Sequence, residues 1–163
     1  MIEAPIPQNE RDRLCSVHQL SILDTPNEKR FDDLTEKARV RFKVPISTIS
    51  IIDTEREWYK SVQGSDLKEA PRNTSFCGHA LNSEVMMVVE DTTKDIRFSD
   101  NPSVISPPKI RFYAGKSLYN RKTGLAVGVF CIKDIKPRKM ELADINDFLE
   151  LATKAEDELN VGK

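Results

Sequence analysis

The sequence predicts an α+β domain, an antiparallel sheet with helices on both faces. Three patterns carry this. ISTISIID and LAVGVFCIKD have apolar residues at odd and even positions alike, as strands covered on both sides do. Residues 26–42 and 142–159 instead repeat apolar positions every three or four residues, the period of a helix with one buried face. Tight links, DTER and the stretch from Asn120 to Gly124, join strand to strand, so those neighbours run antiparallel.

Taken in order, Asn9 caps a first helix to about Leu20, with Leu14, Val17, Cys15 and His18 turned inward. In DTPNE, Thr25 suits a cap, Pro26 the first helical position and Glu28 the reciprocal site of a capping box, so a second helix is expected from Pro26 to Phe42. Its Phe31, Leu34, Ala38 and Phe42 share one face. Val44-Pro45 ends it, and Ile46 to Asp53 with Glu57 to Val62 form a hairpin closed by Gly64. Residues 65–72 show no period and are expected to be loop. Thr74 then caps a short helix to about Asn82, and VMMVVED is a further strand. TTKDIRFSDNPSVISPPK has three prolines and no period; connections of that length in a compact domain are usually functional or disordered. In IRFYAGKSL, Ile110, Phe112, Ala114 and Leu118 fall on one face and Arg111, Tyr113, Gly115 and Ser117 on the other.

Composition narrows the function. The 163 residues suit a single domain. Twenty-five basic against twenty-six acidic side chains leave a net charge of -1, without the positive field that nucleic acid requires. The start MIEAPIPQNERDR lacks the basic and apolar runs of a secretory signal, and no stretch is long and apolar enough for a membrane, so a cytoplasmic location is expected. Cys15, Cys77 and Cys131 are odd in number, widely spaced and free of a CxxC pair, which argues against a disulfide framework or a structural zinc site.

The chemically loaded stretch is TSFCGHALNSE. Cys77 and His79 are two ligands where a zinc site needs three or four, so no metal is expected. A thiol early in a helix is open to activation, but residues two apart on a helix face nearly opposite ways, which places His79 badly as its base. Packing of Cys77 as a small hydrophobe beside Leu81 is the competing reading. His79 either faces a cavity beside Phe76 or hydrogen-bonds within the fold. Arg111 with Tyr113 offers a fork and a phenol to a carboxylate or phosphate; alternatively Arg111 pairs with Asp91, Asp95 or Asp100. Arg97 has the same two readings, and Trp58 and Phe98 serve either as pocket walls or as core. The six scattered glycines make no phosphate loop.

LSILDTPNEKRFDDLTEKA, VPISTISIID, REWYKSVQG, RNTSFCGHAL, DIRFSDNPSV and PPKIRFYAG, in that order, resemble the GAF domains at the N-terminal ends of bacterial sensor kinases and diguanylate cyclases, over about residues 6–159. SFCGHA with RFYAG marks one branch. The resemblance implies a six-stranded antiparallel sheet, a small-molecule pocket over one face, and dimerisation through terminal helices. It also implies that Phe76, Cys77 and His79 lie near the pocket wall opposite Arg111, Tyr113 and Ser117, with residues 74–82 and 92–106 as cover; Trp58, Asp91, Arg97, Phe98 and Asn101 complete the candidate ligand site. The motif of cyclic-nucleotide-binding members is not recognisable. Gly78 breaks the cysteine-histidine dipeptide of bilin-binding members, and the GPFQG-like segment and clustered cysteines of free methionine sulfoxide reductases have no counterpart. Where relatives read AGAPL, this chain has AGKSL. No output domain follows Lys163, so a complete chain would signal by association.

The resulting expectation is a non-enzymatic, cofactor-free sensory domain that binds a small, anionic organic ligand. It forms a homodimer, addresses a signalling protein, and touches neither nucleic acid nor membrane. A redox sensor or reductase centred on Cys77, or a ligand-free dimerisation module, are the alternatives.

Overall fold

The computed structural model describes residues 1–163. Five helices and six strands follow one another. They are α1 (Glu10–Gln19), α2 (Lys29–Phe42), β1 (Ile46–Ile52), β2 (Arg56–Gln63), β3 (Glu69–Pro71), α3 (Phe76–Ala80), β4 (Met87–Val89), α4 (Pro102–Ile105), β5 (Phe112–Asn120), β6 (Leu125–Asp134) and α5 (Leu142–Asn160). The sheet has the order β3-β2-β1-β6-β5-β4, every pair antiparallel. β1 and β6 lie at its centre, and β1 is buried along its whole length, which is why these strands carry apolar residues at odd and even positions alike. No helix is long and apolar enough to cross a membrane.

Helices cover both faces. On one, α2 and α5 pack across the sheet, and Phe31, Phe42, Ile49, Ile51, Trp58, Phe112, Phe130 and Phe148 belong to a single core. On the other, the short α3 and the connection bearing α4 lie over Ile46, Ile52, Tyr113, Val129 and Cys131. Two cores separated by one sheet follow directly from strands whose successive side chains alternate sides.

Several boundaries differ from those the sequence suggests. α2 begins at Lys29 rather than Pro26, because the ammonium of Lys60 draws in the Thr25 hydroxyl at 2.8 Å and the Pro26 carbonyl at 2.7 Å. Residues 25–28 thus form an extended corner and Thr25 caps nothing. In α1, Cys15 and His18 are exposed, and Arg13 and Ser16 are buried in their place. The first is held by Glu10 and the second bonds Thr123. Ser75, not Thr74, caps α3 by accepting from the Gly78 amide at 2.9 Å. The expected loop at 65–72 contains the edge strand β3, and the long connection contains α4. Gly64, with φ of 83°, does close β2; a side chain there would collide with the Pro45 carbonyl oxygen.

Candidate functional site

The second face is built in cross-strand rows. Opposite residues of an antiparallel pair share a face, so Thr48, Cys131, Gly115 and Met87 form one row, and Ile46, Lys133, Tyr113 and Val89 the next. β2 adds Glu57, Tyr59 and Val62. Lys60 is the extra residue of a bulge opposite Ile49 and Ser50, and that bulge changes which β2 side chains face this way.

At the β4–β5 end, α3 closes directly on the strands. Tyr113 is fully buried, its ring stacked on Phe76 at 5.3 Å, and Phe76 stacks in turn on Phe98 at 4.5 Å. The phenol donates to Cys77 Sγ at 3.2 Å. A Cβ on Gly115 would stand 2.1 Å from the Tyr113 hydroxyl oxygen, so a glycine is required beneath that phenol. Ser117 donates to the carbonyl of Ala80 at 3.0 Å and ties the end of α3 to β5. His79 meets Phe98 edge-on at 4.8 Å, and its Nε2 bonds the Ile2 carbonyl at 3.0 Å. The chain start is thereby strapped over α3, helped by Asn82 donating to the Pro5 carbonyl.

Here the side carrying Tyr113 is packed solid, which corrects the expectation that it looks into open space. Arg111 precedes β5, and its guanidinium donates to the carbonyls of Val104 at 2.9 Å and Ile110 at 3.1 Å. It neither points at a ligand space nor pairs with an aspartate. Ile110 joins the Tyr113 core rather than the Phe112 core for the same reason, that the strand starts only at Phe112. Asp91 caps the turn after β4 by accepting from Thr93, and Asn101 caps α4 while donating to the Thr74 carbonyl. Arg97 is held by Asp95 and lies over the Phe98 ring. Trp58 sits on the opposite face, within the core under α2 and α5.

A cavity of about 230 Å³ opens further along the face, toward β1 and β2. Ile46, Thr48, Tyr59, Phe76, Ser103 and Lys133 are among its walls. Of the residues singled out from sequence, only Phe76 lines it. Lys133 is the distinctive member. Its ammonium lies 5.9 Å from the centre of the Phe76 ring. Burial opposes its charge, yet neighbours that carry or can take up negative charge, Tyr59, Cys131 and Glu57, outweigh that and raise its pKa. Whereas Lys60 on the other face bonds Glu28, Lys133 has no carboxylate partner. Burial pushes the Tyr59 phenol up, so it stays a neutral donor at physiological pH. Glu57, nearly lost from solvent, accepts from Ser75 at 2.5 Å through Oε2, and its Oε1 is unpartnered.

Lys133 escapes a sequence reading because a lysine near a strand end looks solvated. The signal was there in parity: Val129, Cys131 and Lys133 alternate, and the first two are plainly interior. Larger depressions elsewhere, such as that edged by Asp53, Glu55, Arg56 and Glu69, are open and dominated by charge pairs.

No family model matches the chain. It is 38% identical over 138 residues to a cyclic di-GMP phosphodiesterase of Pseudomonas aeruginosa, spanning 85% of this chain but only 23% of that protein. Solved structures align over most of its length at low identity. The GAF domain of an Acinetobacter phosphoenolpyruvate-protein phosphotransferase has TM-score 0.62 at 15% identity, covering 91% of this chain and 92% of that one. A free methionine-R-sulfoxide reductase from Neisseria meningitidis, solved with its substrate, has 0.64 at 15%, covering 99% and 97%. The PixJ GAF domain of Thermosynechococcus elongatus has 0.62 at 14%, covering 96% and 90%.

Proposed function

We propose that this chain, which has the fold of GAF domains, is a cytoplasmic, non-enzymatic regulatory domain whose cavity takes a small organic anion. The observation that carries this is the place of Lys133, a partly buried lysine without a carboxylate partner on a partly apolar cavity wall, its ammonium 5.9 Å from the centre of the Phe76 ring. An unpaired charge in such a place is costly unless an anion completes it. The aromatic faces of Phe76 and Tyr59 supply apolar contact, and Thr48, Ser65 and Ser103 supply hydroxyls. A volume of about 230 Å³ suits a metabolite smaller than a drug-sized ligand. The expected ligand is therefore a compact monocarboxylate or phosphate ester with a flat or branched apolar part.

Signal transfer is assigned to association, between copies through α1 and α5 or with a signalling protein. The similarity to a phosphodiesterase of which this chain spans only 23% supports a regulatory part beside a signalling enzyme. A thermal-shift screen of small carboxylates and phosphate esters tests the ligand reading. The expected result is a raised melting temperature for a structurally related subset, with no shift for their neutral amides. Equal response to acids and amides, or none to any, would remove it. Light scattering with and without the best compound tests association.

A further inference from the structure

Cys77 and Cys131 both lie on the cavity side of the sheet, one on α3 and one on β6, and the ligand reading uses neither sulfur. The Tyr113 hydroxyl fixes where they meet. It lies directly over Gly115, which is the cross-strand partner of Cys131. From there it donates to Cys77 Sγ at 3.2 Å. The Cys77 sulfur is thus brought over β5 beside the Cys131 position, since directly opposed residues are about 5 Å apart at Cα. On its other flank, Cys131 Sγ contacts Thr48 Oγ1 at 3.0 Å. Thr48 and Lys133 are cavity walls, so a small molecule in the cavity is one side chain away from the thiol.

The two sulfurs are not equivalent. Burial pushes the Cys77 thiol up, and the adjoining Cys131 sulfur adds to the effect. Burial also opposes ionisation of Cys131, but Cys77, the Lys133 ammonium and Thr48 together outweigh it and bring that thiol below its ordinary range. A buried cysteine is ordinarily inert. Cys131 has a cation and two hydrogen-bonding neighbours beside it, while Cys77 keeps its proton.

We propose that Cys77 and Cys131 form a peroxide-oxidised dithiol that closes an internal disulfide between α3 and β6. The Cys131 thiolate attacks one oxygen of a hydroperoxide; an S–O bond forms, the O–O bond breaks, and the departing alkoxide or hydroxide takes a proton. Cys131 is left as a sulfenic acid. The Cys77 sulfur attacks it, the S–O bond breaks, and the hydroxide leaves as water with the Cys77 proton. Two thiols are oxidised by two electrons while the hydroperoxide is reduced to an alcohol, or water, and water. The bond removes the acceptor of the Tyr113 phenol and pulls on the residue next to Phe76, a cavity wall, so oxidation state reshapes the cavity. The oxidation chemistry stands whether or not that cavity binds a ligand.

The test uses the full chain with Cys15→Ser, which removes the exposed thiol. Folded protein is treated with hydrogen peroxide, quenched, denatured in an alkylating agent and mapped by mass spectrometry. The expected result is equal loss of both thiols, a Cys77–Cys131 cross-linked peptide lighter by two hydrogens, and full recovery with dithiothreitol. Retention of both thiols at peroxide levels that oxidise free cysteine would overturn the proposal. So would sulfinic acid at either residue without the cross-link. In Cys77→Ala, dimedone should trap a sulfenic acid at Cys131; in Cys131→Ala, Cys77 should stay unlabelled, and the opposite pattern would refute the assigned order.

Discussion

The guanidinium of Arg72 donates to the carboxylate of Glu10 at 3.1 Å across 62 residues of chain. The same carboxylate takes two bonds at 2.8 Å from Arg13, so one acid on α1 serves two arginines that are almost lost from solvent. Arg72 also donates to the Asp53 carbonyl at 2.9 Å, which fixes α1 and the segment before α3 to the end of β1.

Glu10→Gln should therefore be severe for a residue outside both cores. It leaves two buried cations facing a neutral amide, and removing one partner of a buried pair costs about 3–5 kcal/mol. Burial raises the Glu10 pKa, but the bonds from Arg13 and Arg72 win and bring it from 4.5 to about 2. The folded-state value is depressed, so this stability is complete above about pH 4.5 and is lost as pH falls toward 2. Urea midpoints at pH 5 and pH 3 should differ more for wild type than for the variant.

His79 gives an acid dependence in a different window. Burial lowers its pKa despite the opposing bond to the Ile2 carbonyl. Its folded-state value lies below the unfolded one, so the unfolded chain takes up the proton first and stability declines as pH drops below about 6.5. Urea midpoints between pH 7.5 and 5.5 should fall for wild type and flatten for His79→Gln. Exchange of the Ile2 and Ala4 amides, which bond the Arg97 and Asn73 carbonyls, should speed up in that variant at every pH, because the strap loses an anchor.

Legibility followed burial. β1 and β6 are covered on both faces, and α2 and α5 bury one face each, so apolar residues at both parities or at helical spacing announced them. β3 and α4 have three and four residues, and contacts formed after folding decide them. The cover of α3, which carries Cys77, over Tyr113 and Ser117 was legible through family motifs, but its packing was not. Trp58 was left between pocket wall and core, and its pairing with Ile51 puts it in the core under α2 and α5. Arg111 was misplaced because alternation was carried two residues past the true start of β5 at Phe112.

Gly115→Ala should test how tightly that cover is seated. The new methyl would meet the Tyr113 phenol, and the ring cannot step aside while stacked on Phe76, itself stacked on Phe98. Overpacking of this kind costs about 1–3 kcal/mol. Equilibrium urea unfolding should show that loss with an unchanged m-value. A neutral result would mean that the rings are looser than these distances require.

Lys133→Met separates ligand binding from stability. A lysine that served the fold would leave a deficit on removal, as Lys60 should, since it bonds Thr25, the Pro26 carbonyl and Glu28. Lys133 has no such partners, and replacing a poorly solvated charge by an apolar side chain of similar length is commonly neutral or stabilising. Lys133→Met is thus expected to unfold within about 1 kcal/mol of wild type or above it, while Lys60→Met loses about 3 kcal/mol or more. Against that background, any stabilisation by small carboxylates should vanish in Lys133→Met and survive in Tyr59→Phe at reduced size. Retention of the full carboxylate response without Lys133 would show that the anion is held elsewhere, and the cavity would then be a packing defect rather than a receptor.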